Sequence, residues 1–518
     1  MVASATPAAT APLEGSARVW GTVALSAATF MNVLDSSIAN VSLPAIAGDL
    51  GVSPNQGTWV ITSFAIANAI AVPLTGWLSQ RFGQVRLFVA SVLLFVVASW
   101  LCGLAPNMTT LIAFRALQGF VAGPMIPLSQ TLLLASYPRA LARLAMAMWA
   151  MTTLVAPVLG PLLGGWITDN TAWSWIFYIN IPVGIVAAAA TWGIYRKRES
   201  VKRKVPIDSV GLALLVLWIG ALQMMVDLGK EHDWFHSQLI VALAVTAAVG
   251  FAFFLVWELN DEHPVVDLRL FARRNFWAGT LTTSAAYALF FGNVVLLPLW
   301  LQQYMGYTAT DAGMVTAPVG LFALVLSPIV GKTLAKVDPR KYVTFAFLVF
   351  GLVMWMRSHF STQADYATIL LPIVIQGIAL AFFFIPLSTI TLSGLSPDRI
   401  PAASGLSNFA RITAGAIGTS ISTTLWESRA ALHHAQLTEA ITPGSPADAA
   451  LAGLRAAGMS TEQALAQVNR LIDQQAFTLA ANDIFLASSL IFLALIGVVW
   501  ITRPKRTDGA ADAAAGAH

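Results

Sequence analysis

Two ionisable residues stand inside apolar runs, where charge is costly and functional by default. Asp35 lies within Leu34-Asp35-Ser36-Ser37-Ile38-Ala39-Asn40-Val41-Ser42-Leu43-Pro44, and Arg115 opens Arg115-Ala116-Leu117-Gln118-Gly119. At a rise of about 1.5 Å per residue, both fall roughly 10–18 Å from the outer ends of their helices, so they can meet or share waters. A carboxylate that alternates between pairing with a guanidinium and carrying a proton couples proton flow to conformation. A static pair that only fixes helix packing is the alternative. A third charge of this kind, Arg411, has no matching acid in the sequence.

Other chemistry is not offered by these runs. They hold no paired acids, no Ser with His and no metal-spaced His cluster, so no catalytic residue, metal site or intramembrane enzyme is expected. His433 and His434 are adjacent, point about 100° apart on a helix and make a poor metal pair. No phosphate-binding loop of the Walker type is present, so no cofactor is expected and a proton gradient, not ATP, is the expected energy source.

Such residues need a lipid-embedded scaffold, and the composition demands one. Of 518 residues, 57% are hydrophobic and only 10% charged, with mean hydropathy +0.72, which leaves too little polar surface for a water-soluble globule. The single cysteine, Cys102, excludes an intramolecular disulfide. A net charge of +4 does not indicate nucleic-acid binding, because the basic residues sit in short loops between apolar spans. No Lys or Arg precedes Arg18, an order unlike that of a cleaved signal peptide, so the first span is expected to be retained.

Runs of about 20 apolar residues give fourteen expected spans: 18–47, 58–79, 86–105, 108–135, 141–167, 173–195, 207–227, 237–258, 276–301, 311–335, 341–358, 366–395, 401–427 and 479–502. With the N-terminus inside, the cytoplasmic segments hold most of the 29 basic residues, including Arg81, Arg86, Arg139, Arg143 and the cluster Arg196, Lys197, Arg198, Lys202, Arg203, Lys204. Only Lys230, Arg357, Arg429, Arg455 and Arg470 fall in external loops, so both termini are expected in the cytoplasm. The Arg196–Lys204 cluster reads as a topogenic loop; binding of anionic lipid is the other reading. An internal repeat supports two halves: Pro73-Leu74-Thr75-Gly76 before Arg86 recurs as Pro328-Ile329-Val330-Gly331 before Lys341, and Gln118-Gly119 with Ile126-Pro127-Leu128-Ser129 recurs as Gln376-Gly377 with Ile385-Pro386-Leu387-Ser388. The expected fold is all-α and polytopic: a cytoplasmic tail (1–17), an N-terminal six-helix bundle (18–195), a basic loop with two inserted helices (196–275), a like-oriented C-terminal six-helix bundle (276–502) and a cytoplasmic tail (503–518). The external segment 428–478 is expected to form short amphipathic helices. A central cavity is expected between the bundles.

Three sets of residues belong to that scaffold. Gly76, Arg81, Gly83 and Arg86 lie in the tight turn Gly76-Trp77-Leu78-Ser79-Gln80-Arg81-Phe82-Gly83-Gln84-Val85-Arg86, read as a gating latch beside the simpler reading of a positive-inside loop. Pro157, Gly160, Pro161, Gly164 and Gly165 crowd one helix, with the glycines spaced for one face; this reads as a hinge or seal, with a packing seam as the alternative. For cargo, the expected cavity face offers Asn32, Asn68, Gln118, Tyr287, Phe290, Phe291, Asn293 and Gln376, aromatic walls with a few polar points.

From about residue 12 to residue 502 these strings resemble the major facilitator superfamily, specifically its 14-helix drug:proton antiporters. Gly76–Arg86 is similar to the superfamily's loop motif, with Gln80 where an Asp is common. Ala156–Gly165 resembles the antiporter motif, and Leu34–Pro44 the first-helix motif of the 14-helix group. Gln56-Gly57-Thr58-Trp59, Thr389-Ile390-Thr391-Leu392 and His433-His434-Ala435-Gln436 resemble the EmrB-type multidrug exporters. The resemblance implies proton-coupled export of hydrophobic or amphipathic drugs across the inner membrane of a Gram-negative cell. It also implies assembly with an EmrA-type periplasmic adaptor and, through it, a TolC-type outer-membrane channel. A facilitator-type importer or symporter of a metabolite would share the fold but not the Ala156–Gly165 string.

Overall fold

In lipid an apolar segment must satisfy its own backbone hydrogen bonds, and a helix is the form in which one segment does so alone. The computed structural model describes residues 12–503 apart from 139–140, 201, 203–205, 207, 230–231, 262–263, 335–336, 396–399, 440, 442–443 and 445. Every one of the expected spans is helical. The first group is α1 (Gly15–Asp49), α2 (Trp59–Phe82), α3 (Gln84–Gly103), α4 (Met108–Ala122, continued by Met125–Ser136), α5 (Ala142–Asn170) and α6 (Trp175–Tyr178, continued by Asn180–Tyr195). Next come α7 (Ser209–Leu228) and α8 (Gln238–Asn260). The last group is α9 (Arg274–Tyr304), α10 (Ala309–Thr316, continued by Val319–Thr333), α11 (Pro339–Arg357), α12 (Tyr366–Leu392), α13 (Ile400–Glu439), the short α14 (Pro446–Ala456) and α15 (Thr461–Ile501). Among the described residues, ten helices are long and apolar enough to cross a membrane. Large apolar side chains such as Val186, Phe253, Val256 and Leu490 are at least 60% exposed, a surface that only lipid solvates well. This is a multi-pass membrane protein.

Three spans expected to be continuous are interrupted. One break falls at Ile179 in α6, and two fall before a proline, at Gly123–Pro124 in α4 and at Ala317–Pro318 in α10. Each proline lacks the N–H that would continue the helical ladder. The tails 1–11 and 504–518, with Arg203 and Lys204 of the basic cluster, lie outside the described residues.

In the first bundle α1 packs on α5 and α6, α4 on α2 and α3, and α3 on α6. In the second, α9 packs on α13 and α15, α12 on α10 and α11, and α15 on α11 and α13. The bundles meet where α5 touches both parts of α10, where α2 touches α13, and where α1 touches α9; α7 lies along this seam against α13 and α2. Two hydrogen bonds join the bundles at one end, from Gln302 Nε2 to the Val41 carbonyl (3.0 Å) and from the Thr310 N–H to Asp169 (2.7 Å). That end is also where α13 and α15 project, and it is called the extension end below; the α2–α3 turn and the linker after α6 mark the basic end.

The projection differs from the short helices expected over 428–478. With 40 and 41 residues at about 1.5 Å each, α13 and α15 run about 60 Å, roughly twice the hydrocarbon thickness. The sequence has neither Gly nor Pro from Thr419 to Glu439 or from Thr461 to Thr478, so nothing stops either helix at the membrane surface. Asp483 ties the two together, accepting from Arg429 (2.6 Å) and His433 (2.8 Å). A capping box between Ser460 and Gln463 starts α15, and only α14 is a short helix of the expected kind.

Candidate functional site

Asp35 and Arg115 meet, as their depth in the sequence suggests. Both side chains are fully buried, with Arg115 Nη1 donating to Asp35 Oδ2 at 2.5 Å. The remaining Asp35 oxygen accepts from Asn180 Nδ2 (2.8 Å) and Gln118 Nε2 (3.0 Å). Arg115 Nε donates to the Val60 carbonyl (2.8 Å), Nη1 also to Gln118 Oε1 (2.6 Å), and the guanidinium lies 4.4 Å from the Phe64 ring centre. Ser99 completes the cluster by accepting from Gln118 Nε2 at 2.7 Å. Arg115 Nη2 has no hydrogen-bond partner among the described residues. Side chains from α1, α3, α4 and α6 therefore converge on one carboxylate. The sequence did not single out Ser99 or Asn180; the lone side-chain amide in the apolar run 173–195 was the available signal for Asn180.

Glycines let the surrounding helices approach closely enough for these bonds. A Cβ on Gly119 would overlap the Phe64 backbone, so its absence lets α4 press on α2 and brings Arg115 within reach of Val60. On α5, a Cβ on Gly160 would stand 2.5 Å from Ser37 Oγ and one on Gly164 would stand 2.7 Å from the Ile38 carbonyl, beside Asp35 in sequence. Gly165 turns elsewhere, against the Ala309 backbone of α10 in the other bundle. The three glycines thus serve two faces rather than the single face expected, because consecutive positions diverge by about 100°. The helix runs unbroken past Pro157 and Pro161.

The expected cargo residues separate by location. Gln118 belongs to the Asp35 cluster; Asn32 donates to the Ala122 carbonyl and Asn68 to the Gly119 carbonyl, both buried between helices of the first bundle. Asn293 donates to Ser488 on α15, away from the other bundle. Gln376 accepts from Arg357, which is buried within α11 and α12 rather than placed in the external loop expected for it. Only the aromatic group remains accessible as a wall: Tyr287 stacks on Phe291 (5.7 Å), Phe291 meets Phe290 edge-on (5.6 Å), and Tyr287 accepts a hydrogen bond from Arg411 (2.8 Å).

At the basic end, Gly83 has φ +94° and a Cβ there would overlap the Glu199 carboxyl. Glu199 caps α3, accepting from the backbone N–H groups of Val85 and Arg86 (both 3.0 Å), and Ser200 Oγ accepts from Gln84 (3.0 Å). The Arg86 guanidinium stands 4.0 Å from Glu199, and Arg81 is exposed over Trp77. A Cβ on Gly76 would meet nothing within 4 Å. The corresponding turn of the second half uses Asp338, whose carboxyl the Arg340 side chain holds below the usual carboxylate range.

Two helix bundles facing across a seam, with a buried ion pair beside it, are the framework of a membrane transporter. The chain belongs to the Major Facilitator Superfamily, whose family model matches residues 25–419. It is 52% identical over 509 residues to the multidrug export protein EmrB of Escherichia coli (strain K12), covering 98% of this chain and 99% of that one. It is 51% identical over 499 residues to the fatty acid resistance protein FarB of Neisseria gonorrhoeae, covering 96% and 98%. Among solved structures it shares the fold of the peptide transporter POT in complex with sulfate, with TM-score 0.62 and 13% identity over 93% of this chain and 95% of that one.

The basic-end turn yields a direct expectation. Gly83→Val places a β-branched residue at positive φ, a strain of about 1–3 kcal/mol, and displaces Glu199. Transport should fall severalfold at normal membrane abundance, measured by uptake into inverted vesicles with immunoblot normalisation. Full activity would reduce the turn to a connector.

Proposed function

We propose that this chain is a proton-coupled antiporter that exports hydrophobic or amphipathic drugs across the inner membrane. The observation that carries the reading is the fully buried Asp35–Arg115 pair, on the same helix as the α1–α5 glycine seam at Ser37 and Ile38. In hydrocarbon a lone carboxylate is costly, so Asp35 has two low-cost states, ionised against Arg115 or protonated, and in the second the Arg115 charge rests on the Val60 carbonyl, Gln118 and the Phe64 ring. A proton on Asp35 removes the charge that holds Arg115 Nη1, leaving Arg115 to Val60 and Gln118. Because α1 at Ser37 and Ile38 lies directly on Gly160 and Gly164, a shift of α1 transmits to α5, and through Gly165 to α10 of the other bundle. Closure at the extension end and opening at the basic end then alternate. Relatives named for multidrug export support the outward direction, as does the Ala156–Gly165 string; a proton-driven uptake carrier is the second reading on the same fold.

The reading has fourteen membrane passes, from the apolar runs, with bundles over 18–195 and 276–502 and inserted helices within 196–275, from the internal repeat, and both tails cytoplasmic, from the basic-loop bias. Gly76, Arg81, Gly83 and Arg86 form the gating turn; Pro157, Gly160, Pro161, Gly164 and Gly165 form the seal. The projecting pair α13–α15 supplies a periplasmic arm for an EmrA-type adaptor, which in turn engages a TolC-type channel. In intact spheroplasts, a cysteine replacing Ala452 should react with an impermeant maleimide, whereas one replacing Lys197 should be shielded; the reverse pattern would overturn the orientation.

Coupling is tested in vesicles. Asp35→Asn fixes the neutral state and should abolish pH-driven drug accumulation, while Asp35→Glu keeps a titratable group and should retain part of it. Accumulation by Asp35→Asn against the drug gradient would show that another acid carries the proton.

A further inference from the structure

At the extension end of the second bundle, a cavity of about 440 Å³ lies between α9, α13 and α15. Leu299 and Thr423 line it within the expected spans 276–301 and 401–427, whereas Tyr304, His434, Asp473 and Phe477 line it beyond the ends of those spans and of 479–502. The cavity therefore straddles the level at which the three helices leave the hydrocarbon. Three rings build its wall. Tyr304 stacks on Phe477 at 4.4 Å and within 17° of parallel, and Trp426 stands across them at 89° and 75°. Trp426 Nε1 donates to the Phe477 carbonyl (2.8 Å), and Gln474 Nε2 donates to the Tyr304 carbonyl (2.5 Å), so the rings are held by bonds between helices. Aromatic side chains are common at this depth, where they face the lipid headgroups. Trp426 differs: it is only 3% exposed and lines the cavity instead.

The charge of the lining has one sign. Glu427 and Asp473, both half-buried, bring carboxylates to the cavity, and none of the described residues that line it is Lys or Arg. Asp473 accepts from Asn469 Nδ2 (3.1 Å) and stands 3.4 Å from His434 Nε2, so its partners are an amide and an imidazole and not a permanent cation. Arg429, two residues from Glu427 in sequence, is engaged by Asp483.

We propose that this cavity binds an organic ammonium ion carried on an apolar stem, with the head between Glu427, Asp473 and the rings and the stem toward Leu299. Ring faces and carboxylates both attract a cation, and each contact gains strength where water is partly excluded. An anionic head on the same wall meets two like charges. The ammonium head occurs on free amphiphilic amines and on the ethanolamine headgroup of a phospholipid, and a cavity at the membrane surface is open to both sources. The site lies in the other bundle from the Asp35–Arg115 pair and does not depend on the export reading.

The test uses the purified full chain in maltoside micelles, which are neutral and carry no ammonium, titrated with naphthylethylammonium and with the matching naphthyl alcohol. The wild type should bind the ammonium about tenfold more tightly than the alcohol. Glu427→Gln and Asp473→Asn should each weaken ammonium binding about fivefold while holding alcohol affinity within about twofold, which also reports a folded protein. Asp35→Asn should leave the ammonium affinity within about twofold of wild type, because that residue lies in the other bundle. Added phosphatidylethanolamine distinguishes the two sources: competition with the probe makes the headgroup the occupant, and its absence leaves the free amine, with the ammonium site supported in either case. Equal binding of the two probes by the wild type, ammonium affinity untouched by both Glu427→Gln and Asp473→Asn, or a loss in Asp35→Asn as large as in those variants would overturn the proposal.

Discussion

A carboxylate and a guanidinium removed from water within one helix bundle impose the constraint on which the rest of this structure depends. Each ion alone would cost several kcal/mol, and removing one partner of such a pair costs about 3–5 kcal/mol. Asp35 and Arg115 are therefore held together by four helices, with Asn180, Gln118, Ser99 and the Val60 carbonyl taking up most of the remaining donors and acceptors. In the proposed cycle the same arrangement makes the cluster switchable. One proton on Asp35 cancels the attraction while leaving Arg115 other acceptors, so the two states differ by a charge and not by a collapsed core.

In that proposal, close backbone contact converts the local change into a change of shape. Gly119 seats α4 on α2, Gly160 and Gly164 seat α5 on α1, and Gly165 seats α5 on α10. Side chains at these positions would act as compressible spacers; their absence makes neighbouring helices move together. The α5 helix is the shared element, touching the bundle that holds the Asp35–Arg115 pair on one face and its partner on another. At the basic end the linker joins the same system, because Glu199 caps α3 at the very turn where Gly83 adopts its positive φ.

The sequence was most informative where lipid makes the rules strict. Apolar run length located the helices, and the rarity of charge inside them singled out Asp35 and Arg115 before their contact was seen. It was least informative where geometry depends on which side of a helix a residue occupies. Gln118, Asn32 and Asn68 are polar residues in apolar runs and look alike in sequence, yet they satisfy buried carbonyls or the ion pair rather than face a cargo. Arg357 looked like a loop cation because it ends its apolar run, whereas its neighbours α12 and α15 bury it. The projection of α13 and α15 followed from an absence of stop signals, a negative feature that hydropathy does not register. Arg411 was visible as an oddity, and only the packing of α9, α12 and α13 gave it aromatic neighbours, with no acid among the described residues.

The central claim is that Asp35 itself carries the transported proton. Infrared difference spectra of the reconstituted protein, recorded between alkaline and acidic medium with cargo present, read this directly through the C=O stretch of a protonated carboxylic acid. The account predicts such a band in the wild type, shifted in Asp35→Glu and absent in Asp35→Asn. An undiminished band in Asp35→Asn would contradict it and move the proton to another acid.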